Sequence, residues 1–299
     1  MKHGFHLTAA IGGFLLLMAT ITLALTFRTQ STRPKLVPTA SFSHVPNTAK
    51  TPQPTPKQPA TASAQLMLPP VVVGERAYAV PILLYHYISV NANKDDKTRT
   101  TLSTPPVIFE QQLQLLQSHG FATITLDELA AALDGKITLP AKSVMLTFDD
   151  GYADFYANAV PLLRKYGMRG IAFIPTGLIG GGNYMTWGQI EELAKTPNVI
   201  FAAHSIHHWA LTNVSAKVLQ QEVSESKRVL EGHVGYRVNW FAYPYGVFND
   251  AVVAAVRNAG FVGSATTLSG SWQYQSRLFY IPRYRAGTRT GASFLKLVE

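Results

Sequence analysis

The 299-residue sequence contains no cysteine. The chain therefore forms no disulfide bonds, offers no thiolate ligand to a metal ion, has no cysteine nucleophile and carries no lipid on an N-terminal cysteine. It also lacks a basic cluster interleaved with aromatic residues, so its formal net charge of +9 gives nucleic-acid binding little support. That charge is equally compatible with anionic lipid headgroups or an acidic cell-wall polymer. We expect no nucleic acid among the partners.

One uncharged and mostly apolar run lies near the N-terminus, from Leu7 to Phe27. About 20 such residues cross a bilayer as a helix. A cleaved signal peptide is the alternative, but its apolar region is usually shorter and ends in a small-x-small site, which the stretch TLALTFRTQ (22–30) does not provide. We therefore predict a membrane anchor over residues 1–28, with a signal sequence as the alternative.

Residues 29–74 are dominated by Pro, Thr, Ser, Ala, Gln and Lys, as in TAKTPQPTPKQPATASAQ (48–65). A stretch of this composition cannot bury a hydrophobic core, so it predicts an extended, disordered linker. Beside a membrane anchor, such a linker would let a folded domain reach away from the membrane. Residues 75–299 remain for that domain.

Within residues 75–299, apolar runs typical of buried strands alternate with segments of helical periodicity. The predicted strands are 79–88, 144–148, 170–175, 198–203 and 239–243. The predicted helices are 109–120, 153–166, 215–230 and 250–258, with one more that a capping box opens at Thr186–Gln189. Alternating strands and helices form a parallel sheet covered by helices. The number of such units favours a barrel of β/α units over a small open sheet.

Two adjacent aspartates, Asp149 and Asp150, directly follow the predicted strand 144–148. Adjacent carboxylates repel each other, and burying both is costly unless a positive charge neutralises them. Neighbouring side chains on a strand point to opposite faces, but at the strand end the backbone turns and both could reach one cavity. An aspartate followed by glycine also suits a plain turn.

The segment HSIHH, from His204 to His208, directly follows the predicted strand 198–203. His204 can share a metal ion with His207 at i+3 or with His208 at i+4, so spacing alone leaves the second ligand open. Two histidines and one of the two aspartates, with an open position for water, form a hydrolytic zinc-type site. Surface histidines that bind nothing are the alternative interpretation.

Two further motifs end predicted strands. In FAYPYG (241–246), proline and glycine bracket an aromatic residue, which can expose a backbone N–H to a developing oxyanion but also suits a tight turn. His86, in YHY after the first strand, could line a cavity or serve only the fold. Because active sites of parallel α/β proteins lie at the C-terminal ends of their strands, these motifs together predict one site.

In this order, TFDDG, HSIHH and FAYPYG resemble the motifs of polysaccharide deacetylases of the NodB-homology type (carbohydrate esterase family 4), over about residues 80–297. The opening PILLYHYI, the helix FEQQLQLLQSHGF and the late IPRYR (281–285) look more like the branch that acts on poly-β-1,6-N-acetylglucosamine. The resemblance implies a distorted α/β barrel of about seven strands and one divalent metal ion, expected to be zinc. It implies removal of N-acetyl groups from N-acetylglucosamine units of an extracellular polysaccharide.

The resemblance also implies roles for individual residues. Asp149 would be the general base, and the Tyr245 backbone N–H would contribute to an oxyanion hole. Asp150, His204 and His208 would be the metal ligands. His207 would then lie outside the set of ligands.

Supporting residues also remain expectations. Ser205 fits the family's Ser/Thr position and would support the histidine loop. Thr186–Trp187 and Trp209, on neighbouring loops, would form a wall on which a sugar stacks.

The sequence departs from the family pattern at two places. Many members carry an arginine where Ala242 stands, and that arginine orients the base; Arg283 is the candidate replacement. Many members also have a late histidine that acts as general acid, but the last histidine of this chain is His233. The general acid is therefore unassigned, with His86 or metal-bound water as candidates, and we expect a slow enzyme.

The expected location is the cell membrane, with the catalytic domain outside the cytoplasm, or secreted if residues 1–28 are cleaved. The alternatives are an enzyme acting on peptidoglycan or chitin oligomers, and a catalytically weak, membrane-tethered glycan-binding protein. A cytosolic hydrolase of small ring amides agrees poorly with the expected anchor and linker.

Overall fold

The structure is a computed structural model that describes residues 68–299. The expected anchor, residues 1–28, lies outside the described residues, as does the expected linker up to residue 67. Among residues 68–299, no helix combines the length and apolar character needed to cross a membrane.

The described residues include a parallel sheet of seven strands in the order β10-β2-β4-β5-β6-β7-β8. A short eighth strand, β3, adds to β4 in parallel, and β1 and β9 form a separate antiparallel pair. The bounds are β1 Ala77–Ala79, β2 Ile82–Tyr85, β3 Ala122–Thr123, β4 Ser143–Phe148, β5 Gly170–Ile174, β6 Val199–Ala203, β7 Trp240–Ala242, β8 Gly263–Ala265, β9 Trp272–Tyr274 and β10 Tyr284–Arg285.

The two edges of the parallel sheet meet at one short segment. At its start, Ile281 pairs in parallel with Ala265 of β8, and at its end β10 pairs with β2. The sheet therefore curves into a distorted barrel, which agrees with the expected architecture of about seven strands. Arg283 lies in this joining segment and is 1% exposed, inside the barrel.

Strands β2, β4 and β5 consist almost entirely of apolar residues, and every residue of all three is buried. Such runs are buried on both faces, against the barrel interior on one side and the covering helices on the other. Polar chemistry is therefore concentrated where the strands end.

Within residues 68–299, eight α-helices connect or flank the strands. They are α1 Lys97–Leu102, α2 Pro106–Ser118, α3 Leu126–Leu133, α4 Val160–Lys165, α5 Trp187–Leu193, α6 Ala216–Val234, α7 Asp250–Asn258 and α8 Gly291–Leu295. The predicted capping box at Thr186 and Gln189 is confirmed at the start of α5, and α7 has the predicted bounds.

One helix prediction needs correction. In place of a regular helix over 153–166, a π-helical turn at Phe155–Ala159 precedes α4. Pro161 lies in the first turn of α4 and has no backbone N–H, so the bond that a regular helix would send back to residue 157 cannot form. The wider π-helical turn takes up this interruption.

Candidate active site

The two adjacent aspartates are buried at the end of β4. The Asp149 N–H donates to the carbonyl of Tyr85 at 3.0 Å and so prolongs the pairing of β4 with β2. At Asp150 the backbone enters the left-handed region, with φ of 75°, and the chain turns. The carboxylates are 3% and 6% exposed, yet they have entirely different partners.

Asp149 is held by the guanidinium of Arg283. Nη1 donates to Oδ1 at 2.7 Å and Nη2 donates to Oδ2 at 2.8 Å, so the contact has two points. The Arg283 Nε donates to the carbonyl of Thr266 at 2.9 Å, which fixes the plane of the guanidinium. Burial alone would raise the pKa of Asp149, but Arg283 outweighs it and holds this pKa below its usual value. Asp149 is therefore ionised at neutral pH.

Asp150 faces two histidine rings instead. Its Oδ1 lies 3.4 Å from Nε2 of His204 and 3.2 Å from Nε2 of His208. On its other side the His204 ring contacts the Ala242 carbonyl through Nδ1 at 2.7 Å. Because a carbonyl only accepts, Nδ1 carries a hydrogen, and Nε2 is the nitrogen directed at Asp150. Burial alone would lower the pKa of His204, but the facing Asp150 carboxylate outweighs it and raises this pKa. Burial lowers the pKa of His208 to about 4, so the His208 ring is neutral at pH 7.

This group fits a divalent metal ion. Asp150, His204 and His208 each offer one ligand atom, and the three atoms lie within 4.8 Å of one another. Oδ1 of Asp150 is buried without a hydrogen-bond partner among the described residues, although it points at two ring nitrogens. An orphaned buried oxygen normally costs stability, and a cation between these atoms would satisfy it. One carboxylate and two imidazoles are also a donor set that suits zinc.

The backbone around this group is unusual. Within residues 68–299, the non-glycine residues with positive φ are Asp150, Ser205, His208 and Tyr245, at φ of 75°, 64°, 57° and 60°. All four belong to the three predicted motifs at the strand ends. Conformations of this kind are costly and persist where the surroundings over-determine them, which is typical of functional sites.

His207 is separate from the metal-type group. Its Nδ1 lies 2.5 Å from Oε1 of Glu222, a residue of α6 that is 2% exposed. The structure therefore pairs His204 with His208 rather than with His207. The importance of Glu222 was missed at the level of sequence. One signal was available, because Glu222 interrupts the apolar face that Leu219 and Val223 define on α6.

Tyr245 lies on the far side of His208, with the two ring centres 4.6 Å apart. Its side chain is about half exposed, and no hydrogen bond of the described residues uses its backbone N–H. This N–H is therefore free to donate to a bound group. His86 follows β2 near both aspartates; burial lowers its pKa, which the charges of Asp150 and Asp149 only partly offset.

The two tryptophans are already partly covered. Trp187 stacks on His233 with ring centres 3.8 Å apart, and Trp209 stacks on His207 at 4.7 Å. One face of each ring is therefore occupied, and their role in sugar stacking stays a prediction.

A second group of aromatic residues was not predicted. Tyr87 stacks on Tyr152 at 3.8 Å, and Tyr152 stacks on Tyr184 at 5.2 Å. Burial, together with the nearby charge of Asp150, raises the pKa of Tyr184 to about 12, so the Tyr184 hydroxyl stays neutral at pH 7.

A parallel α/β barrel with a largely buried Asp-His-His group and an ionised aspartate beside it defines an enzyme with the residues of a hydrolytic metal site. A polysaccharide deacetylase family model matches residues 136–264, a range that contains both aspartates and both histidines of the site. This region of the chain is accordingly similar to the polysaccharide deacetylase family, in agreement with the resemblance of its motifs.

Individual relatives agree with this family. The Bacillus subtilis protein YxkH is 28% identical over 226 residues, which cover 75% of this chain and 78% of that protein. The poly-β-1,6-N-acetyl-D-glucosamine N-deacetylase of Staphylococcus aureus is 29% identical over 189 residues. That match covers 58% of this chain and only 64% of the S. aureus protein.

Among solved structures, the Streptococcus pyogenes deacetylase PplD, in complex with acetate, superposes with a TM-score of 0.70 and 28% identity. The match covers 75% of this chain and all of that one.

Proposed function

We propose that this enzyme removes N-acetyl groups from N-acetylglucosamine units of an extracellular polysaccharide, with poly-β-1,6-N-acetylglucosamine as the expected polymer. The observation that carries the proposal is the separation of the two aspartates: Arg283 holds Asp149, whereas Asp150 faces His204 and His208. Asp149 can then act as the base while its neighbour Asp150 binds the metal ion. The choice of polymer is supported by the S. aureus relative and by the sequence motifs.

In this proposal, Asp150, His204 and His208 hold a divalent ion, with zinc as the expected one. When bound, such an ion supplies Lewis acidity, polarising the acetamide carbonyl and making a bound water more acidic. The His204 hydrogen bond to Ala242 keeps Nε2 directed into the group, which is the role of an outer partner in a metal site.

Asp149 is the proposed general base. It is ionised at neutral pH, and the two-point contact with Arg283 fixes the plane of its carboxylate. It takes one proton from the attacking water as the water oxygen bonds to the acetamide carbon. In this role, Arg283 would replace the arginine that the family resemblance leads us to expect at the position of Ala242.

The Tyr245 N–H is the proposed donor to the oxygen that becomes negative during the attack. Its left-handed backbone is fixed by the turn that follows β7, so no reorganisation is needed when charge develops. The C–N bond then breaks, acetate leaves, and the nitrogen must gain a proton. His86 is the proposed donor, and because burial lowers its pKa, only a minor fraction is protonated at neutral pH. Slow turnover follows.

The location is also a proposal. The uncharged run in residues 1–28 would anchor the chain in the membrane, and residues 29–74 would let the domain reach a polymer outside the cytoplasm.

The test is acetate release from β-1,6- and β-1,4-linked N-acetylglucosamine oligomers, with and without a chelator. We expect release from the β-1,6 oligomers that stops with chelator and returns with added Zn²⁺. Preference for β-1,4 oligomers would move the substrate to peptidoglycan or chitin oligomers. Release from neither would overturn the proposal in favour of a glycan-binding protein.

A further inference from the structure

Glu222 is a buried carboxylate whose hydrogen bonds all go to the histidine loop, residues 204–208. Its Oε2 accepts from the backbone N–H groups of Ile206 at 3.0 Å and His207 at 2.9 Å. Its Oε1 contacts Nδ1 of His207 at 2.5 Å. Within residues 68–299 no lysine or arginine forms an ion pair with Glu222, although its side chain is only 3% exposed. A buried carboxylate in such a position needs these three contacts.

The backbone carbonyls of the same loop accept hydrogen bonds from the segment that follows β5. The N–H of Thr176 donates to the Ser205 carbonyl at 3.1 Å, and the N–H of Gly177 donates to the Ile206 carbonyl at 2.9 Å. A Cβ at Gly177 would lie 2.7 Å from the Ile206 side chain, so glycine allows this close approach. Backbone atoms thus hold the loop carbonyls, and Glu222 holds two of the loop N–H groups.

The clamped loop contains two of the costly backbone conformations. Ser205 and His208 have φ of 64° and 57°, and the Ser205 Oγ accepts from the His208 N–H at 3.0 Å. Left-handed residues of this kind relax unless contacts hold them. Glu222 binds the two residues that lie between them. If these contacts were lost, the loop could relax and move the His208 ring away from Asp150.

We propose that Glu222 is a positioning residue for the metal site. It fixes the loop so that Nε2 of His208 faces Oδ1 of Asp150. Its effect depends on a side chain long enough to form the hydrogen bonds to the loop, and not on its negative charge. The inference rests on the proposed metal site, but it does not depend on the identity of the polymer or on turnover.

Two substitutions separate the effect of the length of the Glu222 side chain from the effect of its negative charge. Glu222→Gln keeps the length of the side chain and one carbonyl oxygen for the two backbone N–H groups, while its amide can donate to the His207 ring nitrogen. Glu222→Asp keeps the charge but is one methylene shorter, so it cannot reach both N–H groups. The matched controls are Glu225→Gln and Glu225→Asp, on α6 where the side chain is 40% exposed and the carboxylate pairs with Arg228.

The experiment is a Zn²⁺ titration of the metal-stripped full-length protein against a chromophoric chelator, with thermal unfolding of each metal-free variant as the folding check. We expect Glu222→Asp to weaken Zn²⁺ binding about 10- to 100-fold, the range typical of lost outer contacts in metal sites. Glu222→Gln should stay within about threefold of the parent, as should both Glu225 variants.

Two results would overturn the proposal. One is Zn²⁺ affinity in Glu222→Asp within threefold of the parent. The other is a tenfold or greater loss of Zn²⁺ affinity in Glu222→Gln, which would show that the negative charge of Glu222 is what matters. The Glu222→Gln variant tests the proposal even if Glu222→Asp does not fold. Failure of the proposed function would instead appear as absent acetate release from a parent protein that binds Zn²⁺ normally.

Discussion

Arg283 and Asp149 form a two-point ion pair inside the barrel, with N–O distances of 2.7 and 2.8 Å. The two residues are distant in the sequence: Asp149 follows the end of β4, and Arg283 lies in the segment that joins the two edges of the sheet. The pair therefore forms only when the barrel closes. It couples completion of the fold to the orientation of the proposed base.

Substitution of Arg283 should change the pH dependence of activity. Arg283→Lys keeps a positive charge but loses the two-point contact. Because Arg283 holds the pKa of Asp149 down against burial, weakening the pair should raise this pKa. Activity needs ionised Asp149, so the acid limb of the kcat/KM profile should move to higher pH and kcat should fall about 10-fold or more.

The matched control for Arg283→Lys is Arg285→Lys, two residues away and exposed. It should leave the acid limb nearly in place. An unshifted limb in Arg283→Lys would contradict the account of Asp149. The more severe Arg283→Gln leaves a buried carboxylate unpaired, which typically costs about 3–5 kcal/mol of the free energy of unfolding, so the lysine variant is the better probe.

The neighbouring histidines should differ in their effect on metal binding. His208→Ala removes a ring nitrogen that lies 3.2 Å from Oδ1 of Asp150 and should strongly reduce Zn²⁺ occupancy, as measured by elemental analysis after dialysis. His207→Ala removes a ring that contacts Glu222 instead and should leave occupancy near that of the parent. Loss of Zn²⁺ in His207→Ala with retention in His208→Ala would exchange the two assignments.

His86→Gln tests the proposed proton donor. If protonated His86 donates to the leaving nitrogen, the rate of the parent should fall as pH rises through the lowered pKa of His86. His86→Gln should reduce kcat by about 10²–10⁴-fold, the usual contribution of a general acid, and should flatten that alkaline limb. An unchanged kcat with the limb still present would transfer the role to another group.

The sequence predicted the features that depend on local rules. The buried strand ending before Asp149, the capping box at Thr186 and the helix 250–258 all follow from patterns of a few neighbouring residues. The same capping rule would have found α3, which starts with a capping box at Thr125 and was missed. Strands β8 and β10, of three and two residues, are too short to leave a periodic pattern.

Contacts between distant parts of the chain were harder to predict. Residue spacing does not distinguish His207 from His208 as the second histidine ligand, and only the resemblance to a family favours His208. The physical reason for the choice is Glu222, which binds His207 from a helix 15 residues further along the chain. Arg283 was identified only because the family's usual arginine is absent. No local pattern shows that its segment closes the barrel above Asp149.

The most direct test of the central claim compares Asp149→Asn with Asp150→Asn in two measurements on the same preparations, Zn²⁺ affinity and acetate release from N-acetylglucosamine oligomers. If one aspartate reacts and the other binds, Asp149→Asn should keep Zn²⁺ affinity near that of the parent while losing most turnover. Asp150→Asn should lose both. Equal loss of Zn²⁺ affinity in the two variants, or turnover retained in Asp149→Asn, would contradict the division of roles.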